Sequence, residues 1–215
     1  LTAEKIEQKV ITAENQKVKA IEALSFSKQM QSFPKVNEQH KLLKALTTIL
    51  NNNPEAYAIY IGNKDENFYE IINLNTSIEL RKEYKASKKA RWLVVKIYKE
   101  EDGIRYRYNQ LLDKNHNQIS KSVAIYKPSV RPWFIKAFNT NKVIRTKPYQ
   151  YTNMNQKGIT YAKRITDTNI IIGLDVSLHT LSSFLEKQTN SKDEKIIIYK
   201  DTSKIIASAN FDKNI

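Results

Sequence analysis

Four pairs of segments with alternating apolar and polar residues constrain most strongly how this chain can fold. Within each pair, only a short polar turn separates the two segments, as Glu100-Glu101-Asp102-Gly103 does in the second pair. Alternation with a period of two predicts β-strands, and so short a turn predicts that the two strands pair as an antiparallel hairpin. The strands are predicted over residues 57–62 and 67–73, 91–99 and 104–112, 158–166 and 169–175, and 195–200 and 204–209.

The first 33 residues predict one long helix. They contain neither Gly nor Pro, and apolar residues such as Ile6, Val10 and Leu24 recur at helical spacing. The apolar stripe is narrow and is interrupted by Lys17. It fits either a surface helix of the same domain, or a spine or dimerisation helix that leads from a membrane anchor.

Further helices are predicted between and after the hairpins. They cover residues 36–50, residues 129–139 with Ser129 as N-cap, and residues 179–188, while residues 76–90 form a charged connection with some helical character. Hairpins with helices packed against them define an α+β architecture.

A net charge of +14 could indicate a basic surface that binds a nucleic acid, but the distribution of the basic residues argues against this interpretation. Lysines are scattered from Lys5 to Lys213, whereas nucleic-acid-binding proteins more often concentrate Lys and Arg in one stripe. We therefore interpret the charge as a solvated surface and expect no nucleic-acid partner. The charge still favours proximity to anionic lipid.

The sequence offers no constellation for catalysis, metal binding or a cofactor. It has no Cys, and its three histidines, His40, His116 and His179, lie far apart without a ligand-spaced partner. The four glycines are also too dispersed to form a phosphate-binding loop. We expect this chain not to be an enzyme and to use neither a metal nor a cofactor.

One window gathers the groups of a small anion site. Residues 126–151 combine an arginine at the start of a predicted helix with several aromatic rings. Arg offers a planar fork to a carboxylate, Trp and Tyr add donors, and the ring faces can line a pocket. Alternatively, the rings are core and the arginine caps a turn or stacks on Trp133. The residues concerned are Tyr126, Arg131, Trp133, Phe134, Tyr149 and Tyr151.

Four short motifs in this region resemble the double Cache family of extracytoplasmic sensor domains. Arg131-Pro132-Trp133-Phe134 resembles the family's RPWY motif, and Lys147-Pro148-Tyr149 resembles the element that follows its helix. Residues 159–163 (ITYAK) and 172–178 (IGLDVSL) resemble two of its strands, in the family's order. Together with the residues flanking these motifs, the resemblance covers roughly residues 30–215.

The resemblance implies a domain organisation. It predicts a long N-terminal spine or dimerisation helix over residues 1–33, a membrane-distal PAS-like ligand-binding module over residues 34–178, and a connecting helix with part of a smaller membrane-proximal module over residues 179–215. Since the chain starts at Leu1, we expect it to be a piece of a longer or processed protein.

It also implies a cellular role. The chain is expected to be the periplasmic or extracellular portion of an inner-membrane or plasma-membrane signalling receptor. That receptor would be a chemoreceptor, a histidine kinase or a cyclic-nucleotide signalling enzyme. It would be anchored through segments absent here and would form a homodimer through the N-terminal helix.

Family members that bind amino acids imply roles for particular residues. Their carboxylate-binding positions match Tyr126, Arg131 and Trp133, Phe134 stands where a Tyr is usual, and Tyr149 matches the far wall. For the ligand's ammonium group the family uses two Asp residues. Here the first is replaced by Tyr151 and the second is kept as Asp175.

The missing acid bears on the expected ligand. A buried ammonium group without sufficient counter-charge costs several kcal/mol, so its loss weakens amino acids relative to plain carboxylates. We therefore expect a small carboxylate first and an α-amino acid second. A third alternative is a Cache domain that binds no small molecule and is regulated by a periplasmic partner protein.

Overall fold

A computed structural model describes residues 3–112, 119–152, 156–187, 196–200 and 204–209. The helices of this part are α1 (Ala3–Ser25), α2 (Leu43–Asn52), α3 (Ile78–Glu83), α4 (Pro132–Phe138) and α5 (Leu178–Glu186). The strands are β1 (Ala56–Asn63), β2 (Phe68–Asn73), β3 (Trp92–Lys99), β4 (Arg105–Leu112), β5 (Ile119–Val123), β6 (Ile144–Arg145), β7 (Tyr149–Gln150), β8 (Lys157–Arg164), β9 (Ile170–Ser177), β10 (Ile196–Lys200) and β11 (Lys204–Ala209).

The strands β1 to β9 form one antiparallel sheet in the order β5-β4-β3-β2-β1-β9-β8-β6, with β7 also paired to β8. The hairpins β1–β2, β3–β4, β8–β9 and β10–β11 are those that the alternation predicts, and the α+β architecture is confirmed. The alternation does not predict β5, β6 and β7, of which the last two are only two residues long.

The sheet has two differently covered faces. On β1, the side chains of Ile59 and Ile61 join a core with residues of α1 and α2. Ala58 and Tyr60, which alternate with them, join a second core that contains Trp133 and the other aromatic residues of α4. The period of two thus divides the side chains of β1 between a core on the side of α1 and α2 and a core on the side of α4.

The first helix ends earlier than the predicted residue 33. The Ser25 hydroxyl donates to the carbonyl of Glu22 at 2.7 Å, and the Ser25 carbonyl accepts from the backbone N–H of Thr166 at 3.2 Å. The β8–β9 turn therefore satisfies a terminal carbonyl that further helix would have used. A short 3₁₀ turn, Lys28–Gln31, follows.

Lys17 does not interrupt the packing of α1 but is part of it. Its side chain is buried, forms an ion pair with the buried carboxylate of Glu55 and donates to the Ala13 carbonyl at 2.8 Å. Because α1 packs on β8 and β9, its second half belongs to the same domain as the sheet.

The second helix begins at Leu43 rather than at the predicted residue 36. The buried ammonium of Lys96 on β3 donates to the carbonyls of Val36 at 2.7 Å and Lys35 at 3.3 Å, and also to that of Glu38. The Lys35 carbonyl also accepts from the backbone N–H of Glu38 at 3.0 Å, so the segment before Leu43 forms turns held by Lys96 rather than a regular helix.

The prediction of one helix over residues 129–139 with Ser129 as its N-cap is wrong at its start. Residues Pro128–Val130 form a 3₁₀ turn, and α4 begins at Pro132 with Arg131 in the N-cap position. Ser129 instead donates its backbone N–H, at 3.3 Å, and its hydroxyl to the carboxylate of Glu66 in the β1–β2 turn. This contact anchors the segment that carries Arg131.

Serine caps start the two remaining helices. The Ser77 hydroxyl accepts from the backbone N–H of Leu80 at 3.2 Å, and the Ser177 hydroxyl accepts from that of Thr180 at 3.0 Å. The large sheet ends at Ser177, and β10–β11 form a separate two-stranded sheet beyond α5. That residues 179–215 begin a second module stays a prediction, and residues 188–195, 201–203 and 210–215 lie outside the described part.

The Lys17–Glu55 pair yields a stability prediction. Truncating Lys17 leaves a buried carboxylate without its counter-charge, which typically costs about 3–5 kcal/mol. We expect Lys17→Ala to lower the free energy of unfolding by that amount in urea denaturation, and the addition of Glu55→Gln to recover part of it. Lys19→Ala, at an exposed position two residues further, is the control. Equal losses in both lysine variants would contradict a structural role for the ion pair.

Candidate ligand-binding site

The middle of the sheet forms the floor of a small cavity on its aromatic face. Tyr60 on β1 lies opposite Glu70 on β2 and opposite Gly173 on β9, and Asp175 follows on the same face of β9. The space open to the centre of a water molecule is about 20 Å³. The lining residues are Tyr57, Tyr60, Phe68, Glu70, Tyr126, Arg131, Trp133, Tyr149, Tyr151, Thr152 and Asp175.

Hydroxyl groups hold the carboxyl of Asp175 in place. Its Oδ1 atom accepts from the Tyr60 hydroxyl at 2.7 Å and from the Thr160 hydroxyl at 2.5 Å. Thr160 in turn lies 2.7 Å from the Tyr149 hydroxyl. Burial raises the pKa of Asp175 to about 7, although the hydrogen bonds from Thr160 and Tyr60 and the charge of Arg131 act in the opposite direction.

Two glycines make room for tyrosine rings in the floor. A Cβ atom at Gly173 would lie 2.3 Å from the Tyr60 ring, and one at Gly158 would lie 2.2 Å from the Tyr151 ring. Neither distance is compatible with an undisturbed side chain. The bare backbone of β8 and β9 therefore lets both rings lie against the sheet and brings the Tyr60 hydroxyl to Asp175.

Arg131 lies at the start of α4, half-buried beside the cavity. Its guanidinium donates a long hydrogen bond of 3.4 Å to the Gln150 carbonyl. Its Cζ atom also lies 5.8 Å from the ring centre of Tyr126 and 5.9 Å from that of Tyr149. These contacts orient the guanidinium through ring faces, and its planar fork suits a carboxylate.

The structure brings six of the seven predicted site residues to this cavity: Tyr126, Arg131, Trp133, Tyr149, Tyr151 and Asp175. Phe134 is not among the lining residues. It is buried, stacks on Phe138 with ring centres 5.8 Å apart, and meets the Trp133 ring edge-on. The side chain at position 134, where the family resemblance expects a Tyr, therefore packs in the core and does not line the cavity.

Tyr151 is turned toward the sheet backbone. Its hydroxyl lies 2.8 Å from the Ile159 carbonyl and 3.1 Å from the Val176 carbonyl, and it donates to these oxygens. The ring contributes a wall, but its hydroxyl does not replace the acid that the family resemblance places here.

Sequence reasoning missed Tyr57, Tyr60, Phe68, Glu70 and Thr152 as lining residues. Glu70 left a signal, because it stands alone as a charge between Phe68 and Ile72 on one apolar face of β2. Tyr57 left none. A β-bulge between Ala56 and Ala58 shifts the register of β1, and alternation alone does not locate a bulge.

Glu70 is only partly satisfied in the cavity. Its side chain is 3% exposed, and its Oε2 atom has no hydrogen-bond partner among the described residues. Burial raises its pKa to about 8; the positive charge of Arg107 on β4 lowers the pKa, and the neighbouring Asp175 raises it. The carboxyl is thus mainly protonated at neutral pH in this conformation.

Other parts of the described chain fit a ligand site less well. Clefts of about 220 and 320 Å³ lie beside α5 and α1, but no predicted site residue lines them. Within the described ranges, no group of three or more His, Asp or Glu residues could hold a metal ion. His40 is buried and its Nδ1 accepts from the Leu42 N–H at 3.0 Å, while His116 lies outside the described residues.

Comparisons with known proteins find similarity in structure alone. No family model and no curated protein matches the sequence. The ligand-binding domain of the Campylobacter jejuni chemoreceptor Tlp3, in complex with 4-methylisoleucine, is 16% identical with a TM-score of 0.51, covering 95% of this chain and 66% of that one. The domain of the Pseudomonas fluorescens chemoreceptor CtaA, in complex with L-serine, is 18% identical with a TM-score of 0.53, covering 95% and 67%.

The extracellular domain of the putative histidine kinase mmHK1S-Z3 also matches. It is 15% identical with a TM-score of 0.50, and the match covers 95% of this chain and 69% of that one. The chain therefore has the fold of ligand-binding sensor domains of chemoreceptors and a histidine kinase, and it spans about two thirds of their length. No helix among the described residues is long and apolar enough to cross a membrane.

The raised pKa of Glu70 makes stability depend on pH. Between about 4.3, the usual value for Glu, and about 8, the unfolded chain has released a proton that the folded chain keeps, so stability falls as pH rises. Glu70→Gln carries no such proton. We expect it to gain stability relative to wild type from pH 5 to 8, by up to about 1.4 kcal/mol per pH unit in urea unfolding.

The exposed Glu101→Gln variant is the matched control and should follow the wild-type pH profile. A difference between Glu70→Gln and wild type that stays constant from pH 5 to 8 would mean that Glu70 is ionised in the folded chain throughout.

Proposed function

We propose that this chain is the extracytoplasmic ligand-binding part of a transmembrane signalling receptor and that its cavity binds a small ligand through the ligand's carboxylate. The observation that carries the proposal is the meeting of Arg131 and Asp175 at one buried aromatic cavity. A half-buried guanidinium beside tyrosine hydroxyls gives a carboxylate charge-assisted hydrogen bonds where water is largely excluded.

The fold and the ligands of its neighbours support the same class. The Tlp3 and CtaA domains are recorded in complex with 4-methylisoleucine and L-serine, both of which carry a carboxylate. Plain carboxylates and α-amino acids share this group, so both would engage Arg131. They differ in whether the opposite, acidic end of the cavity is used.

Binding requires the lining side chains to move. A volume of about 20 Å³ holds roughly one water molecule, whereas pockets for small molecules usually measure about 300–1,000 Å³. The described conformation is therefore the closed one. A ligand would favour a wider arrangement in which Arg131, at the start of α4, and Tyr149, on β7, lie further from the floor. Such a difference between two states is what a sensor transmits.

We further propose that the receptor is a chemoreceptor, a histidine kinase or a cyclic-nucleotide signalling enzyme and that it dimerises through α1. The first half of α1 leaves apolar surface available, with Ile11 43% exposed. In this proposal the chain itself senses and does not catalyse, and the membrane anchors and the output domain belong to other parts of the protein.

Ligand binding through Arg131 is tested by thermal shift. Wild type is screened against amino acids, amines, monocarboxylates and dicarboxylates. A ligand at about 100 times its Kd should add roughly 2.7 kcal/mol, a shift of several degrees. Arg131→Ala should lose the shift while it keeps the unliganded melting temperature within a few degrees, because Arg131 is half-buried and weakly bonded.

Lys127→Ala is the matched control, because it removes a positive charge at an exposed position that does not line the cavity. It should respond to ligand as wild type does. An unchanged shift in Arg131→Ala would make Arg131 structural. No shift in any class for wild type would favour regulation by a periplasmic partner protein instead.

A further inference from the structure

Two polar groups in the cavity wall lack a partner among the described residues. The Oε2 atom of Glu70 and the hydroxyl of Tyr57 are both buried without a hydrogen bond. Both side chains line the cavity, from the neighbouring strands β2 and β1. A buried polar atom without a partner costs about 1–3 kcal/mol, so a polar ligand group in a cavity that both side chains line would relieve this cost.

The neighbouring acid is satisfied differently. Asp175 has its Oδ1 atom fixed by the hydroxyls of Tyr60 and Thr160, which hold it in the floor. Glu70 interacts with Arg107 from β4 and with Asp175 from β9, and its free oxygen remains available. The cavity thus carries two buried carboxyl groups and one guanidinium.

We propose that Glu70 is the second counter-charge for a ligand ammonium group and that it makes the cavity select ligands with both an ammonium and a carboxylate over plain carboxylates. This inference rests on the proposed function and deepens it. Arg131 accounts for the ligand's carboxylate, and the inference assigns the acidic end of the cavity to the ligand's ammonium group.

Charge and hydrogen bonding both favour this assignment. A plain carboxylate would bring a third carboxyl group to a cavity whose described lining residues include one guanidinium, that of Arg131. An ammonium group has three donors, and the cavity presents acceptors for them on Glu70, Asp175 and the Tyr57 hydroxyl. Two carboxylates also offset the free-energy cost of desolvating a buried ammonium group, which a single carboxylate offsets only in part.

The assignment also explains why Tyr151 is tolerated. Its hydroxyl is committed to backbone carbonyls of β8 and β9, so it supplies no negative charge. Glu70 is mainly protonated without ligand, but an ammonium group beside it favours the ionised carboxylate, so Glu70 would supply this charge from β2, on the other side of Tyr60 from Asp175. The second acidic side chain of the site therefore comes from position 70 on β2 and not from position 151.

The test uses matched triplets that differ in one group: L-alanine, L-lactate and ethylamine, and L-isoleucine, its 2-hydroxy acid and 2-methylbutylamine. Dissociation constants are measured calorimetrically for wild type, Glu70→Gln and the exposed control Glu101→Gln. We expect wild type and Glu101→Gln to bind an amino acid at least tenfold more tightly than its hydroxy acid. In Glu70→Gln we expect amino-acid binding to weaken at least tenfold and hydroxy-acid binding to stay level or tighten.

A second variant guards against a folding artefact. Tyr57→Phe removes the unpartnered hydroxyl without changing charge, and it should weaken amino-acid binding several-fold while leaving hydroxy-acid binding unchanged. Wild-type discrimination retained in both Glu70→Gln and Tyr57→Phe, or a wild-type preference for hydroxy acids, would overturn the role of Glu70 but leave carboxylate binding at Arg131 intact. Failure of every probe to bind wild type would overturn the proposed function itself.

Discussion

The arrangement of this molecule depends on the burial of two carboxyl groups in the floor of an antiparallel sheet. An acid placed inside a fold is stable only if it is neutral, hydrogen-bonded or paired. Asp175 is held by the hydroxyls of Tyr60 and Thr160, and the Tyr60 hydroxyl reaches it because Gly173 leaves space for the Tyr60 ring. Glu70 is held only partly, by the charge of Arg107, and its unpaired oxygen is a cost that the fold bears at this one cavity.

The same strands connect the cavity to the N-terminal helix. Tyr57 of the cavity lies two residues after Glu55, which pairs with the buried Lys17 of α1. Asp175 lies two residues before Ser177, the cap of α5, where the Thr180 hydroxyl donates to the Glu55 carbonyl at 2.7 Å. Both routes end on one residue, Glu55. A shift of β1 relative to β9 would therefore alter the contacts of Glu55 with α1 and α5, and the proposed sensing role would use this structural link.

Local patterns allowed the sheet to be predicted, and tertiary contacts account for what was missed. Alternation identified the hairpins β1–β2, β3–β4, β8–β9 and β10–β11 because each is closed by its own short turn. The start of α2 could not be predicted, because Lys96, on a strand distant in sequence, donates hydrogen bonds to the carbonyls of residues 35, 36 and 38. The short sequence motifs predicted Arg131 and Asp175 as site residues. They did not predict Glu70 and Tyr57, because sheet register and a β-bulge bring these two to the cavity.

The net charge and the cavity act on a ligand at different distances. A chain of charge +14 attracts anions over roughly a Debye length, about 8 Å at physiological ionic strength, and this attraction does not distinguish one carboxylate from another. Inside the cavity water is largely excluded, and the local groups, two acids and one guanidinium, decide instead. Under the proposed function, a zwitterion would suit both regimes: its carboxylate would be attracted by the basic surface and would meet Arg131, and its ammonium group would meet the two buried acids. On this proposal, the basic surface would raise the rate of encounter with an anionic group, and the two buried acids would set the selectivity.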